Sequence, residues 1–294
     1  MKIIEQKIST ILCPTGINLA DYVINPYQGC QLGCLFCYAQ FSKRAQKEPR
    51  KWGRYVKVKM NGLEILKKEL QLRAPVKVLI GSTTEPFQPI ERKYGLTRGI
   101  IRILNQKKIK YVIMSRSMIL EEYMGELDPQ LCESVYFTVD IMPELIKQKL
   151  QPQAVSSTES IGLINRLIDS NINVIAYFCP VMPFLYELIQ NVYRLQTGAK
   201  AEFEIVNFQM AGMKKIIKTI GQIYPKAAKK YQTMCADKLF YDNVMQDIKS
   251  DIREITKGCF KNIKIHEHEY ADYFKNIYPP AQQTTGFPSP KEAS

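Results

Sequence analysis

Three cysteines within eight residues are the part of this sequence best able to do chemistry. Cys30, Cys34 and Cys37 have the spacing CxxxCxxC in a stretch that reads NPYQGCQLGCLFCY. A 4Fe-4S cluster takes one thiolate per iron, so three cysteines in one loop can hold a cluster and leave the fourth iron open. Gly29 and Gly33 allow such a loop to wrap closely around it. The spacing therefore predicts a 4Fe-4S cluster with one iron free to bind a cosubstrate.

Two other interpretations of this loop, a zinc site and free thiols in the core, stay open from the spacing alone. Structural zinc takes four Cys or His ligands, and the nearest further candidates, Cys13 and Cys132, are not in CxxC pairs. Eight cysteines in 294 residues are too sparse for a disulfide scaffold. The remaining cysteines are expected to be buried thiols, and Cys179, in an apolar run, is the clearest case. They are Cys13, Cys132, Cys179, Cys235 and Cys259.

Length and composition predict a globular protein. A chain of 294 residues, 46% of them hydrophobic, can bury a substantial core as one large α/β barrel or as two small domains. No run of about 18 apolar residues occurs, so no membrane span is expected. The start of the chain, MKIIEQK, lacks a secretory pattern. These features predict a cytoplasmic location, which also suits reduced cysteines.

The net charge of +13 raises the question of a polyanionic partner. Basic residues crowd the segment 43–59 and recur between 214 and 230. No recognised nucleic-acid motif accompanies this charge, so solvated surface lysines are the favoured interpretation. Nucleic acid stays a possible partner that the sequence does not favour, and a small anionic substrate would also be attracted by this charge.

Apolar runs rich in β-formers alternate with amphipathic helical patterns, which is typical of βα units around a parallel sheet. Six strands are predicted at 21–26, 76–81, 110–114, 134–139, 173–178 and 201–206. Helices are predicted between them at 61–72, 97–106, 120–131, up to 150, 158–170 and 187–197. The pattern predicts an α/β fold with a partial (β/α)6 TIM-like barrel, whose functional groups gather at the carboxyl ends of the strands.

The sequence divides into four segments around this barrel. Residues 1–20 form an N-terminal segment, and residues 21–210 form the barrel core. Residues 211–277 are predicted to be a helical C-terminal extension with one further strand at 262–269. Residues 278–294, rich in Pro, Gln, Thr and Ser, are predicted to be disordered.

Several motifs resemble those of radical SAM enzymes, in particular the spore photoproduct lyase-like subgroup. The CxxxCxxC spacing with an aromatic residue, Phe36, before the last cysteine is the signature of that superfamily. Further matching segments are WGRYVKVK at 52–59, IGSTTEPFQPIE at 80–91, MSRS at 114–117, LQP at 150–152 and AYFCPVMP at 176–183. Their order along the chain makes the resemblance specific, and it covers roughly residues 20–200.

The resemblance implies a partial barrel of the radical SAM type with two cofactors, a 4Fe-4S cluster and S-adenosylmethionine (SAM). In these enzymes the open iron chelates SAM, and an electron from the cluster splits it into methionine and a 5′-deoxyadenosyl radical. A flavodoxin- or ferredoxin-like protein is the expected reductant. The implied cluster ligands are Cys30, Cys34 and Cys37. The implied SAM contacts are Phe36 on the adenine, Tyr38 in the same loop, Thr84 and Glu85 near the methionyl amine or ribose, Arg116 on the carboxylate, and Ser117, Thr138 and Asp140 near the ribose.

Two positions depart from the pattern of the subgroup. Spore photoproduct lyase has a cysteine that returns a hydrogen atom to the repaired base at the position of Ser82. A serine O–H bond is too strong to give a hydrogen atom to a carbon radical, so that repair reaction is not expected here. Ser160 stands in a segment where relatives often carry Arg, which leaves one carboxylate contact without its usual partner.

The resemblance implies lyase chemistry on a small nucleobase-like substrate. The most specific candidate is the queuine lyase reaction, which releases preQ1 from queuine in queuosine salvage. Glu91, Asn207 and Gln209 are predicted to contact the substrate. Glu91 and Gln209 are natural partners for a guanine-like edge, and Asn207 and Gln209 lie just past the sixth predicted strand, where they would overhang the barrel mouth. His266 and His268 alternate on one face of the last predicted strand and are expected to be surface or interface residues.

Two alternative functions remain. A nucleic-acid lesion lyase or a tRNA-modifying radical SAM enzyme would use the basic surface. An iron-sulfur sensor would instead bind nucleic acid without turning over SAM. The length leaves no room for a cobalamin domain or a second cluster domain with its own cysteines, which favours a lyase or mutase over a methyltransferase.

Overall fold

A computed structural model describes residues 1–186, 192–196, 199–207, 212–260, 262–268 and 270. Its strands are β1 (Lys2–Gln6), β2 (Leu12–Pro14), β3 (Tyr22–Ile24), β4 (Tyr27–Gln28), β5 (Tyr55–Lys59), β6 (Lys77–Ile80), β7 (Lys110–Ser115), β8 (Cys132–Val139), β9 (Val174–Val181), β10 (Lys200–Ile205) and β11 (Ile263–His266). Its α-helices are α1 (Lys43–Gln46), α2 (Gly62–Leu72), α3 (Glu91–Tyr94), α4 (Leu96–Gln106), α5 (Glu144–Leu150), α6 (Ser157–Asp169), α7 (Met213–Gly221), α8 (Pro225–Ala236) and α9 (Lys238–Thr256). Two 3-10 helices span Tyr38–Phe41 and Met118–Glu126.

The main sheet has eight strands in the order β11-β10-β9-β8-β7-β6-β3-β2. Neighbouring strands are parallel except for β2 and β3, which are antiparallel. Six strands of this sheet coincide with the six predicted strands, namely β3, β6, β7, β8, β9 and β10. The further strand predicted at 262–269 is β11. Strands β2 and β11 form the two edges, so the sheet is open and not a closed barrel. The predicted α/β fold class is confirmed, and the parallel strands place their carboxyl ends along one rim.

A second, three-stranded sheet lies beside the first and has the order β1-β5-β4. Strand β1 pairs in parallel with β5, with Lys2 opposite Tyr55. The sequence analysis did not predict strands in segments 1–20 and 52–59. The strands of the second sheet are two to five residues long, and β1 pairs with β5 about fifty residues further along the chain. Local sequence patterns therefore give little signal for them.

Two helix predictions differ from the structure. The segment predicted as helix 120–131 is the 3-10 helix Met118–Glu126, which ends before Pro129. Proline cannot occupy a helix interior, because it lacks the backbone N–H and clashes with the preceding turn. Most of the helix predicted at 187–197 lies outside the described residues. None of the described helices is long and apolar enough to span a membrane.

The helices pack on one face of the main sheet and form the large core there. Phe178 of β9 and Phe203 of β10 stack on this face with ring centroids 4.6 Å apart. Helix α6 begins with a capping box in which Ser156 and Glu159 satisfy each other's backbone N–H groups. On the opposite sheet face, alternate residues form a smaller cluster that includes Tyr136 and Ile175. This second face leads toward the functional cavity.

Candidate functional site

A cavity of about 220 Å³ lies at the carboxyl ends of the parallel strands. One side of it is the cysteine loop, and the other sides are strand ends. The residues after β6, from Gly81 to Glu85, contribute one wall, and Arg116 follows β7. Strands β8, β9 and β10 contribute further side chains. Those from β8 and β9 are Thr138, Tyr177 and Cys179, and those from and beyond β10 are Glu204, Ile205, Val206 and Asn207.

All three loop cysteines line this cavity. Cys30 and Cys34 are buried and Cys37 is half-buried, and all three pack with Phe36 and Trp52. Burial and the neighbouring thiols raise the pKa of Cys30, and burial raises the pKa of Cys37 to about 12. Three thiolates held this close in an apolar setting need a positively charged partner such as bound iron.

The geometry of the loop fits a cluster better than a single ion. Within the part of the chain that the structure describes, no group of three His, Cys, Asp or Glu side chains converges on one metal ion. A structural zinc site requires such convergence, whereas a cubane spreads its ligands by taking one thiolate on each of several irons. The three sulfurs that border one cavity fit the ligand set of a 4Fe-4S cluster with one open iron.

Two glycines allow the backbone of the loop to pack tightly. Gly29 has φ of +84°, and a Cβ there would lie 2.6 Å from the carbonyl oxygen of Tyr55. Gly33 has φ of +62°, and its Cβ would lie 3.1 Å from the Cα of Gly53. A side chain at either position would strain the backbone and collide with main-chain atoms, so the loop depends on glycine there.

Arg116 is a fixed cation in the cavity wall. Its Nη1 lies 3.7 Å from the Cys34 sulfur, its Nη2 donates to the Cys179 carbonyl oxygen at 3.4 Å, and its Cζ lies 5.7 Å from the Phe36 ring centroid. Nη1 also donates to Gln151 Oε1. Burial opposes the charge, but Cys34 and Asp140 outweigh it and raise the pKa of Arg116 further. The guanidinium stays charged and can bind an anionic group bidentately.

Asp140 forms a polar chain with Arg116 rather than pointing freely into the cavity. The amide of Gln151 donates to Asp140 Oδ1 and accepts from Arg116, so it joins the two charges. Burial raises the pKa of Asp140, and Arg116 works against that rise. The sequence analysis placed Asp140 near the SAM ribose, and that role stays a prediction. It did not single out Gln151, although the turn at 150–152 was part of the resemblance.

Thr84 and Glu85 line the cavity, but their polar atoms already bind within the protein. Glu85 is buried and accepts from Ser115 Oγ at 2.7 Å and from the backbone N–H groups of Arg116 at 2.9 Å and Phe87 at 3.0 Å. Burial raises the pKa of Glu85. Thr84 Oγ1 donates to the Gly29 carbonyl at 2.6 Å. Both residues tie the end of β6 to its neighbours, so any contact with SAM is additional to a structural role.

The other predicted SAM contacts take different positions around the cavity. Phe36, Tyr38 and Thr138 line it, and the Tyr38 hydroxyl donates to the Ser82 carbonyl oxygen. Ser117 is not among the lining residues, because its hydroxyl accepts from the N–H of Ile119 at 3.3 Å and caps the following 3-10 helix.

Glu91 does not fit the predicted contact with substrate. It is fully buried outside the cavity and caps α4 by accepting from the N–H groups of Thr97 at 3.0 Å and Arg98 at 3.1 Å. It also accepts from the Tyr27 hydroxyl, and burial raises the pKa of Glu91. Glu91 comes well after the end of β6 at Ile80, and it begins α3 in the core. Of the other two predicted substrate residues, Asn207 lines the cavity and Gln209 lies outside the described residues.

A group of side chains that the sequence analysis missed contributes to the wall of the same cavity. Glu204 accepts from the Tyr177 hydroxyl and from the Cys179 thiol at 3.3 Å, and His268 Nε2 lies 3.4 Å from its other oxygen. Burial opposes ionisation, but His268, Tyr177 and Cys179 outweigh it and hold the pKa of Glu204 below its usual range. The cavity therefore contains an ionised carboxylate in addition to Arg116.

Two sequence-based expectations change with this group. Cys179 was expected to be an inert buried thiol, but it is only half-buried and lines the cavity. His268 supports a cavity residue rather than lying free on the surface, and His266 makes a similar contact with Glu202 at 2.7 Å. The alternation of Glu202 and Glu204 with apolar residues in β10 was the available signal for acids on one strand face.

An open parallel barrel with a three-cysteine loop at its strand ends defines an iron-sulfur enzyme that binds a cosubstrate on its cluster. The family model of the radical SAM superfamily matches residues 24–195. That span is more than half of the chain, and the chain belongs to this superfamily. Its cofactors are accordingly a 4Fe-4S cluster and SAM, and the residues around the cavity fit both.

The chain is also similar to individual proteins and solved structures. An uncharacterized protein of Methanocaldococcus jannaschii is 26% identical over 250 residues, which cover 85% of this chain and 94% of that protein. An uncharacterized protein of Mycobacterium tuberculosis is 22% identical over 60% of this chain and 56% of its own length. Among solved structures, spore photoproduct lyase complexed with dinucleoside spore photoproduct gives a TM-score of 0.60 at 15% identity, covering 90% of this chain and 81% of that chain. A spore photoproduct lyase mutant with bound AdoMet and dinucleoside spore photoproduct gives 0.60 at 14% identity, over 92% and 82%. At these identities the structures show a shared fold.

Proposed function

We propose that the protein is a radical SAM lyase that acts on a small nucleobase-like substrate. The cluster supplies the electron that splits SAM into methionine and a 5′-deoxyadenosyl radical, which then takes a hydrogen atom from the substrate. The protein itself must hold SAM, orient the substrate and exclude water. The observation that carries the proposal is one cavity lined both by the three loop cysteines and by a carboxylate, Glu204, whose pKa is held below its usual range.

Arg116 is the residue best placed to hold the SAM carboxylate. It borders Cys34 and is the cation of the cavity wall, so it can bind a carboxylate that is also close to the cluster. Its charge is stabilised from behind through Gln151 and Asp140, which keeps the guanidinium in one position. Phe36, whose ring contacts the guanidinium, offers a flat apolar surface for the adenine.

Glu204 and Asn207 are the proposed contacts for the substrate. A carboxylate accepts hydrogen bonds only, so Glu204 favours a ligand with adjacent N–H donors, as in the amino-pyrimidinone edge of a guanine-like ring. Asn207 follows on the same strand end and offers both a donor and an acceptor. Conversion of queuine to preQ1 is the specific reaction that we propose to test first, since queuine presents this edge.

Position 82 is a serine and provides no thiol, but Cys179 provides one to the same cavity. Burial and Glu204 raise the pKa of Cys179 well above its ordinary value, so the sulfur keeps its hydrogen. We infer that this thiol can return a hydrogen atom to a product radical, leaving a sulfur radical that one electron from the reductant and one proton restore. Lyase chemistry then requires no other weak X–H bond in the wall.

The test is turnover of queuine by the reconstituted enzyme with SAM and a low-potential reductant. Formation of preQ1 and 5′-deoxyadenosine, measured by mass spectrometry, would support the proposal. Glu204→Gln should lower preQ1 formation while leaving slow substrate-free SAM cleavage in place, and Glu126→Gln, on the surface away from the cavity, should behave as wild type. SAM cleavage without any preQ1 would exclude queuine but keep the radical SAM assignment.

A second candidate is a lesion lyase or tRNA-modifying enzyme, and the charge around the cavity favours it. Helix α7 contributes Ile216 to the cavity wall, and its first turn packs against Phe41 beside the cysteine loop. Six exposed lysines and no acids lie between residues 212 and 236, on α7 and α8. DNA or RNA binding that falls steeply with added salt would support this candidate, and no binding at low ionic strength would remove it.

We also infer a flavodoxin- or ferredoxin-like reductant and a reducing, cytoplasmic site of action, because oxygen destroys an open cluster. An iron-sulfur sensor would differ from a radical SAM enzyme in one measurable product, 5′-deoxyadenosine, which the sensor would not form. An intact cluster that gives no 5′-deoxyadenosine under reducing conditions would favour the sensor over any enzyme.

A further inference from the structure

A second and smaller cavity lies behind the cysteine loop. Its volume is about 80 Å³, which is enough for a few water molecules or for one small oxyanion. Trp52 and Thr83 line both this cavity and the larger one, so the two cavities share a wall. The radical SAM assignment gives this second cavity no role.

The wall of the second cavity carries positive charge without a carboxylate. Lys59 and Arg44 line it, and none of the described residues around it is Asp or Glu. Lys59 is only 8% exposed, and its ammonium donates to the carbonyl oxygen of Asn25 at 2.5 Å. A buried ammonium that meets a carbonyl but no anion is unusual, because buried charges in proteins are normally paired. Burial accordingly lowers the pKa of Lys59 to about 8.

Two further donors in the same wall lack a partner within the described structure. The Tyr55 hydroxyl and the Trp52 indole N–H are both buried without a hydrogen-bond partner, and Tyr55 is 1% exposed. Neither atom has surface that a water-sized probe can reach, so both lie behind the surface of this cavity and not on it. Glu48, whose charge acts on Tyr55, does not line the cavity and already pairs with Arg50 and Lys57.

We propose that this cavity binds a small oxyanion of the phosphate type through Lys59 and Arg44. An oxyanion presents acceptors on several sides, which matches two cations around one space without a carboxylate. The acceptor could be free phosphate or the phosphoryl group of a nucleotide. Both share the chemistry that the wall recognises, and the test separates them.

Asn25 connects this site to the larger cavity. Its carbonyl accepts from Lys59, while its side chain binds Ser82 Oγ at 3.2 Å and the Thr83 N–H at 2.9 Å. Ser82 and Thr83 both line the larger cavity. A bound oxyanion would therefore fix Lys59 and, through Asn25, the loop after β6. This proposal does not depend on the identity of the substrate.

The experiment uses Trp52, which is the single tryptophan of the chain and lines both cavities, so a change in emission counts for the second cavity only where Lys59→Met alters it. Reconstituted protein is titrated with inorganic phosphate at constant ionic strength while tryptophan emission is recorded, and the same titration is followed by calorimetry. A saturable change is expected, with affinity about 10- to 150-fold weaker for Lys59→Met, the range for one charge-assisted hydrogen bond. Lys68→Met, which changes an exposed lysine on α2, serves as the matched control and should bind as wild type.

A parallel titration with adenosine monophosphate separates the two sources. Tighter binding than phosphate would identify a phosphoryl group of a larger molecule, and weaker binding would identify a free oxyanion.

Should Lys59→Met fail to fold, Arg44→Met replaces an exposed arginine and must weaken binding as well. A signal that does not saturate, or equal affinity for wild type and both variants, would overturn the site. Radical SAM activity could persist in that case, so the two proposals fail separately.

Discussion

Replacing Arg116 with methionine tests the proposed SAM contact directly. Methionine fills a similar volume but removes the charge and all five N–H donors. A hydrogen bond to a charged group contributes roughly 1.5 to 3 kcal/mol, so losing it should weaken SAM binding about 10- to 150-fold. The loss should approach the upper end, because the guanidinium is held in place by Gln151 and the Cys179 carbonyl and needs no reordering to bind.

The same substitution also removes the countercharge of Asp140. Arg116 and Asp140 are joined through Gln151 and not by direct contact, so the cost should lie below the about 3 to 5 kcal/mol of a broken buried ion pair. Asp140 can reduce it further by taking up a proton. Urea denaturation would therefore show a less stable variant, with part of the loss recovered at low pH. Arg116→Lys should lie between wild type and Arg116→Met, because it keeps the charge but not the planar fork.

The assay combines calorimetric SAM binding, 5′-deoxyadenosine formation and iron content for each reconstituted variant. Arg102→Met is the matched control, because Arg102 is exposed and pairs only with Glu126 on the surface. We expect this control to match wild type in all three measurements. If Arg116→Met kept a full cluster and bound SAM as tightly as wild type, the assignment of Arg116 to the SAM carboxylate would be wrong.

Three further outcomes are expected. Glu91→Ala should lower the free energy of unfolding by about 3 kcal/mol, because three donors lose their acceptor. SAM cleavage by the folded fraction should persist. A stable variant that lost only substrate turnover would instead support the predicted contact with substrate. When SAM is cleaved in D2O without substrate, the exchangeable Cys179 thiol should place deuterium in 5′-deoxyadenosine. Cys179→Ala should abolish this labelling, and the control Cys132→Ala should not. Equal labelling in the two variants would refute hydrogen donation by Cys179. Lys59 has a pKa of about 8 when folded against 10.5 as a free side chain, so the unfolded chain binds more protons between these values. Wild type should therefore gain about 3 kcal/mol of stability relative to Lys59→Met as the pH rises from 8 to 10.5, and a flat difference in urea denaturation would contradict this.

Much of the barrel could be predicted because its strands and helices alternate along the chain. Each buried parallel strand is a short apolar run that pairs with the next one in sequence, and this pattern needs no long-range information. The cysteine loop was predictable for a similar reason, since all its ligands fall within eight residues. The small sheet was missed because β1 pairs with β5 some fifty residues further along the chain, a pairing that local sequence patterns do not indicate.

The part of the cavity wall around Glu204 was harder to predict. Glu204 and Cys179 lie on different strands, and His268 comes from a segment some sixty residues further on. Their chemistry depends on which strand face each occupies and on the pairing of β10 with β11, which sequence periodicity does not fix. Glu91 illustrates the opposite error. A polar residue close to a strand end was expected in the site, but its carboxylate caps a helix in the core.

Strands β10 and β11 have a consequence for how specificity is distributed along the chain. The superfamily match ends at residue 195, while Glu204 and its neighbouring imidazole both come later. On the proposed function, radical generation and part of the contact with substrate are therefore encoded in consecutive portions of the polypeptide. A recombinant fragment ending near residue 195 would carry all three cluster cysteines but lack the acidic wall.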